Sequence, residues 1–109
     1  MKPEIAEKWA VALESGEYVQ AQHMLKSSLG FCCLGVLCDL YSKDVRNMWP
    51  VHSFGQSLPS EVQEWAGMFR PEGVYLTSHG FHSLVLLNDK DRANFAEIAS
   101  IIREKVAEL

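Results

Sequence analysis

Three cysteines, Cys32, Cys33 and Cys38, crowd into one apolar stretch, Phe31-Cys32-Cys33-Leu34-Gly35-Val36-Leu37-Cys38. Thiols this close raise two chemistries, metal ligation and nucleophilic attack. On a helix each residue turns by about 100°, so Cys33 and Cys38 would point about 140° apart, and Cys32 and Cys38 about 120° apart in the other sense. One ion cannot be held from three such directions unless the segment is not helical. His23 could complete a ligand set only under that same condition. There is no Cys-x-x-Cys spacing and no second pair. A nucleophilic thiolate needs an exposed, electropositive setting, whereas the neighbours here are Leu, Val and Gly. The three cysteines read as small apolar side chains of a core, with no metal and no cofactor expected.

Other candidate groups are weaker. His79 and His82 flank Gly80, and with Glu72 they could hold a metal for hydrolysis, although loop-tip histidines usually face solvent. His23 and His52 lack local partners. No Ser-His-Asp or Cys-His arrangement follows from spacing. Gly30 and Gly35 lack the Lys-Ser/Thr that ends a phosphate loop. Asn88-Asp89 follows the apolar run Leu84–Leu87, where it reads as a turn or cap or as a hydrogen-bonding pair at a pocket mouth, suited to an adenine or ribose edge. Gln20 and Gln22, beside Tyr18, offer similar chemistry. Trp49, Phe54 and Phe69 fall in loops. Near Arg46 or Arg70, a loop aromatic could stack on a base while the guanidinium meets a phosphate. The same residues, with Met48 and Met68, would equally suit a protein interface.

The elements that must position these groups follow from periodicity. Pro3 to Ser15 reads as a helix, with Pro3 and Glu4 in the first turn and Ile5, Trp9 and Leu13 recurring on one face. Gly16 suits its C-terminal end. Tyr18 to Leu25 alternates and predicts a strand; Lys26 to Gly30 predicts a turn. Phe31 to Tyr41 is apolar on every side and therefore buried. Its Leu and Cys content favours a helix over a strand. Ser42 to Ser57 reads as irregular, with Trp49-Pro50 extended. Pro59 to Ala66 predicts a short helix stopped by Gly67. Val74 to Leu76 and Phe81 onward flank a hairpin tip at Ser78-His79-Gly80. Asn88 to Asp91 reads as a polar connector. Asn94-Phe95-Ala96-Glu97 has capping-box spacing and starts a last helix whose stripe is Phe95, Ile98, Ile102 and Val106.

These elements predict an α+β fold: one compact, mainly helical domain over residues 1–109. The Phe31–Tyr41 helix lies at its centre, with the terminal helices packed on it. A small antiparallel sheet is expected from Tyr18–Leu25 and the Val74–Phe81 hairpin. With 109 residues, the chain can bury roughly two thirds of its unfolded surface. A net charge of −4 gives no basic field for nucleic acid. No stretch reaches the roughly 20 apolar residues of a membrane span, and the start does not read as a signal peptide. An odd number of cysteines fits a reducing compartment, so a cytoplasmic protein is expected.

Four phrases carry a resemblance. They are Lys8-Trp9 with Ala12-Leu13-Glu14-Ser15-Gly16; Phe31-Cys32-Cys33-Leu34-Gly35-Val36-Leu37-Cys38-Asp39-Leu40; Leu58-Pro59 with Glu64-Trp65-Ala66-Gly67; and Leu87-Asn88-Asp89 with Phe95-Ala96-Glu97-Ile98-Ala99. Over most of its length the chain resembles a group of small proteins encoded by bacteriophages and prophages. The resemblance implies a phage source and a host-cytoplasmic setting, and it carries over no catalytic residue. This chain has Lys90-Asp91-Arg92 where the group commonly has Gly after Asn-Asp. It has Ala21-Gln22-His23 where Gly-rich spacing is common.

Small phage proteins without an enzyme signature often act by binding. The leading expectation is a non-enzymatic counter-defence protein that sequesters a small nucleotide-type immune signal, as a homo-oligomer with pockets between subunits. Gln20, Gln22, Arg46, Trp49, Arg70, Asn88 and Asp89 are its candidate ligand contacts. The alternatives are a protein-binding inhibitor of a host defence complex, for which net acidity would help against a basic partner, and a small metal-dependent hydrolase using His79, His82 and Glu72.

Overall fold

The computed structural model describes residues 1–46, 49 and 55–109, with Arg46 described for its backbone alone. Helix α1 (Pro3–Glu14) is followed by a short hairpin, β1 (Lys26–Ser27) and β2 (Gly30–Phe31), and then by α2 (Cys33–Tyr41). One π-helical turn, Ser42–Arg46, extends α2. Next come α3 (Ser60–Ala66), a second hairpin of β3 (Val74–Thr77) and β4 (Gly80–Ser83), α4 (Leu84–Asp89) and α5 (Phe95–Glu104). The fold is α+β, with α2 as the buried central helix.

Helix α2 is central because no face of it is polar enough to meet water. Cys33, Leu34, Gly35, Val36, Leu37 and Cys38 are all buried. A helix hydrophobic all round must be enclosed, and α1, α3 and α4 enclose this one. Trp9 of α1 is fully buried and donates its indole N–H to the Cys33 carbonyl at 2.9 Å. Gly35 allows the closest approach. A Cβ there would lie 1.7 Å from the Leu25 carbonyl oxygen, so only glycine lets this backbone cross the helix.

Helix α5 begins at the anticipated capping box, Asn94 with Glu97. Phe95, Ile98, Ala99 and Ile102 are buried, and Val106 is half-buried beyond the helix. Its main partner is α1 rather than α2, so the terminal helices form a pair and α1 is the layer between α5 and the centre. Arg103 locks this pair, donating to Glu7 at 3.0 Å and to Glu14 at 2.6 Å.

The anticipated strand Tyr18–Leu25 does not form. His23 adopts φ 76°, in the left-handed region, which breaks an extended run. What remains is one parallel bridge, Gln20 with Phe31. The expected single sheet is therefore two separate antiparallel hairpins, and the predicted turn Lys26–Gly30 belongs to the first. The second hairpin forms as expected, with Thr77 opposite Gly80 around Ser78-His79. Asn88 and Asp89 close α4 instead of opening a connector. Ser42 to Arg46 is helical where an irregular link was expected. Met48, Pro50, His52 and Phe54 lie outside the described residues. Among the described residues no helix is long and apolar enough to cross a membrane.

Candidate functional site

The local chain path places an aromatic shelf at the start of α2. The parallel bridge comes from two bonds, Phe31 N–H to the Val19 carbonyl and Ala21 N–H to the Phe31 carbonyl, each 2.8 Å. It sets Tyr18 edge-on to Phe31, with ring centroids 5.1 Å apart at 89°. Trp49 lies on the other side of Phe31, 6.1 Å away and tilted by 32°. All three rings are half-buried. The Lys26 ammonium lies over two of them, 5.5 Å from the Phe31 centroid and 5.0 Å from that of Trp49. Lys43 lies 5.6 Å from the Tyr18 centroid. A cation over a ring face is held by the ring quadrupole.

Asp39 pins the shelf from beneath. It accepts from the Tyr18 hydroxyl at 2.5 Å, from Lys43 at 3.0 Å and from Trp49. Burial alone would raise its carboxyl pKa. The hydrogen bonds from Tyr18, Lys43 and Trp49 outweigh burial and hold it below the ordinary value, so it is a carboxylate at neutral pH. Burial, then donation to Asp39, raises the Tyr18 phenol. The hydrogen bond to Asp39 raises Lys43. At neutral pH the shelf therefore presents rings, a neutral phenol and two ammonium groups around one buttressed carboxylate. That combination can stack a planar ring and attract an anion.

The predicted polar contacts have a different placement. Asn88 is fully buried. Its Oδ1 accepts from Gln20 Nε2 at 2.9 Å and from the Cys33 N–H at 3.2 Å. Its Nδ2 donates to the Ala21 carbonyl at 2.9 Å and to Asp89 at 2.8 Å. Gln20 also donates to the Ala93 carbonyl at 2.8 Å. Gln20, Asn88 and Asp89 thus tie the chain after α1 to α2 and α4. The amides of Gln20 and Asn88 bond within the fold, while Asp89 is half-buried and accepts from Asn88 through one oxygen. Gln22 is half-buried on the same segment. Arg46 ends the π-helical turn that carries Lys43, and its side chain lies outside the described residues. Trp49 is the anticipated candidate that the shelf includes.

Arg70 lies elsewhere, in a groove of about 470 Å³ lined with Phe69, Glu72, Val74, Phe81 and Glu108. Two aromatic rings and two carboxylates line the groove with it. The proposed hydrolytic trio is not gathered into one ligand set. His82 pairs with Asp91 at 2.9 Å, His79 is at the hairpin tip and Glu72 lines the groove. Among the described residues no three His, Cys, Asp or Glu side chains gather where they could hold a metal ion.

The cysteines are buried and unpaired. Cys32 is the N-cap of α2, its sulfur accepting from the Gly35 N–H at 3.4 Å. Burial pushes its thiol up to about 11, and pushes Cys33 and Cys38 up as well. None is a thiolate near neutrality, the state that nucleophilic attack requires. The sequence reading missed Lys26, Phe31, Asp39 and Lys43 as one cluster. The Asp39–Lys43 spacing was a legible signal, since residues four apart on a helix meet. Nothing in the spacing points to Lys26, which arrives through the hairpin.

A family model for a domain of unknown function, DUF8296, matches residues 1–106. The chain belongs to the DUF8296 family. No curated protein matches it. No solved structure matches it either. In this DUF8296 member the matched span takes in the shelf, its Asp39 buttress and the Asn88 knot.

Proposed function

We propose that this DUF8296 protein is a non-enzymatic binding protein that captures a small anionic, nucleotide-type ligand on the Tyr18–Phe31–Trp49 shelf. One observation carries the reading: the Lys26 ammonium lies within 5.5 Å of two ring centroids at once. A stacking surface and a positive charge at the same spot match a base joined to a phosphate. On binding, the base takes the ring face and Lys26 swings to the phosphate. Stacking on an aromatic ring contributes about 1–3 kcal/mol per base. A charge-assisted hydrogen bond adds to it.

The sequence resemblance extends the reading to a phage counter-defence protein that sequesters a nucleotide signal of host immunity in the host cytoplasm.

Equilibrium dialysis against a panel of cyclic mono-, di- and trinucleotides tests the proposal, with mass spectrometry of what denaturation releases. Retention of one compound, returned intact, supports capture. Trp49→Ala and Lys26→Ala should each weaken that retention by about tenfold or more. A panel that is wholly unretained, or a compound returned cleaved, overturns the reading. In a pull-down from host lysate, a stoichiometric protein partner would favour the inhibitor alternative instead.

A further inference from the structure

The hairpin β3–β4 has two unlike faces. On one face Tyr75 is buried, with the half-buried His82 opposite it. On the other face Leu76 and Phe81 stand opposite each other in register, 50% and 79% exposed. Phe69, 68% exposed, faces the same groove as Phe81. Single apolar side chains at a surface are ordinary. Here, however, Phe69 and Phe81 line a concavity, so one patch holds both a projecting ring and a recess.

The charges of this groove are also of both signs. Arg70 and Glu72 are exposed residues of its lining. Glu108 is held in place by the Leu76 N–H at 2.8 Å and by Lys105 at 3.4 Å. A basic partner would meet Arg70 with like charge, and an acidic one would meet Glu72 and Glu108. Like charges brought together at an interface are costly. A patch carrying a knob, a recess, a cation and an anion is complementary to itself, which is the requirement of a two-fold contact between identical chains.

We infer that this groove is a self-docking surface: a second copy inserts its Phe81 beside Phe69, and the Arg70 of each copy meets the Glu72 of the other. The groove shares no residue with the aromatic shelf, so this inference stands or falls separately from ligand capture.

Sedimentation velocity tests it with the wild type, Arg70→Glu, Glu72→Arg and an equimolar mixture of the two variants. Both positions are exposed, and circular dichroism checks that both variants keep the fold. The wild type should sediment as a dimer. Each single variant sets like charges against each other across the axis and should lose the dimer. The mixture restores both opposite-charge pairs and should recover it. A wild type that stays monomeric at its highest soluble concentration overturns the inference and leaves the groove to a different protein. A dimer indifferent to both variants, or a mixture that stays monomeric, also overturns it.

Discussion

Replacing Asn88 with alanine removes four hydrogen bonds together, and no water-exposed atom of the residue compensates. The Cys33 N–H and the Ala21 carbonyl would lose a partner in the interior. A buried polar group left unsatisfied costs about 1–3 kcal/mol. Asn88→Ala should therefore destabilise the protein by about 3 kcal/mol or more, read as a fall in the urea midpoint. A change below about 1 kcal/mol would show that water replaces the amide. The amide orientation is fixed by its neighbours: exchanging its O and N would set an NH2 against the Cys33 N–H. The identity of Asn88 as a polar residue after an apolar run was plain in the sequence. Its role was not, because three of its four partners come from residues far away in the chain.

At the scale of elements, the crossing of Leu25 over α2 governs the middle of the fold. The Leu25 carbonyl accepts from the Cys32 N–H at 3.3 Å, just where Gly35 leaves room. Backbone cannot step aside as a flexible side chain can, and an overpacked core position costs about 1–3 kcal/mol or more. Gly35→Ala should abolish most soluble, folded protein, whereas Gly55→Ala, whose nearest neighbour would be 3.9 Å away, should leave the thermal midpoint unchanged. Similar midpoints for both variants would sink the close-approach argument. Helices α1, α3 and α5 were legible from apolar spacing and helix-end residues, since those signals lie within each segment; α2 was legible as buried, and only its Leu and Cys content favoured a helix over a strand. The Tyr18–Leu25 strand was misread. Its alternation is real, but the positive φ of His23 and pairing limited to one bridge override it.

For the whole molecule, the pairing of the first and last helices is held in part by Arg103. Its hydrogen bonds keep the carboxyls of Glu7 and Glu14 below their ordinary value. A carboxyl lowered on folding contributes stability that is complete above its unfolded value and is lost as pH falls through its folded one. Arg103→Gln should thus lower the thermal midpoint modestly at pH 7, since all three groups are exposed and screened. The gap to the wild type should close below about pH 4. Thermal unfolding across that range reads the effect, and a gap unchanged at low pH would assign the loss to packing instead. The same scale produces the two surfaces with functional promise. The shelf gathers rings and lysines from the segment after α1, the first hairpin, the extension of α2 and Trp49 beyond it, around Asp39 of α2. The groove gathers the chain after α3, the second hairpin and the C-terminal segment.

Within the amino-acid sequence alone lay the buried segment around Cys32, Cys33 and Cys38, the enclosure of those thiols, the capping box of the last helix and the second hairpin. Each depends on residues a few positions apart, where spacing and side-chain type decide the outcome. Tertiary structure alone decided that Gln20 and Asn88 face each other, that Lys26 lies over Phe31 and Trp49, and that Arg70 shares a groove with Glu72 and Phe81. Those contacts join segments whose separation no local period encodes, and they exist because burying α2 on every side draws the rest of the chain around it.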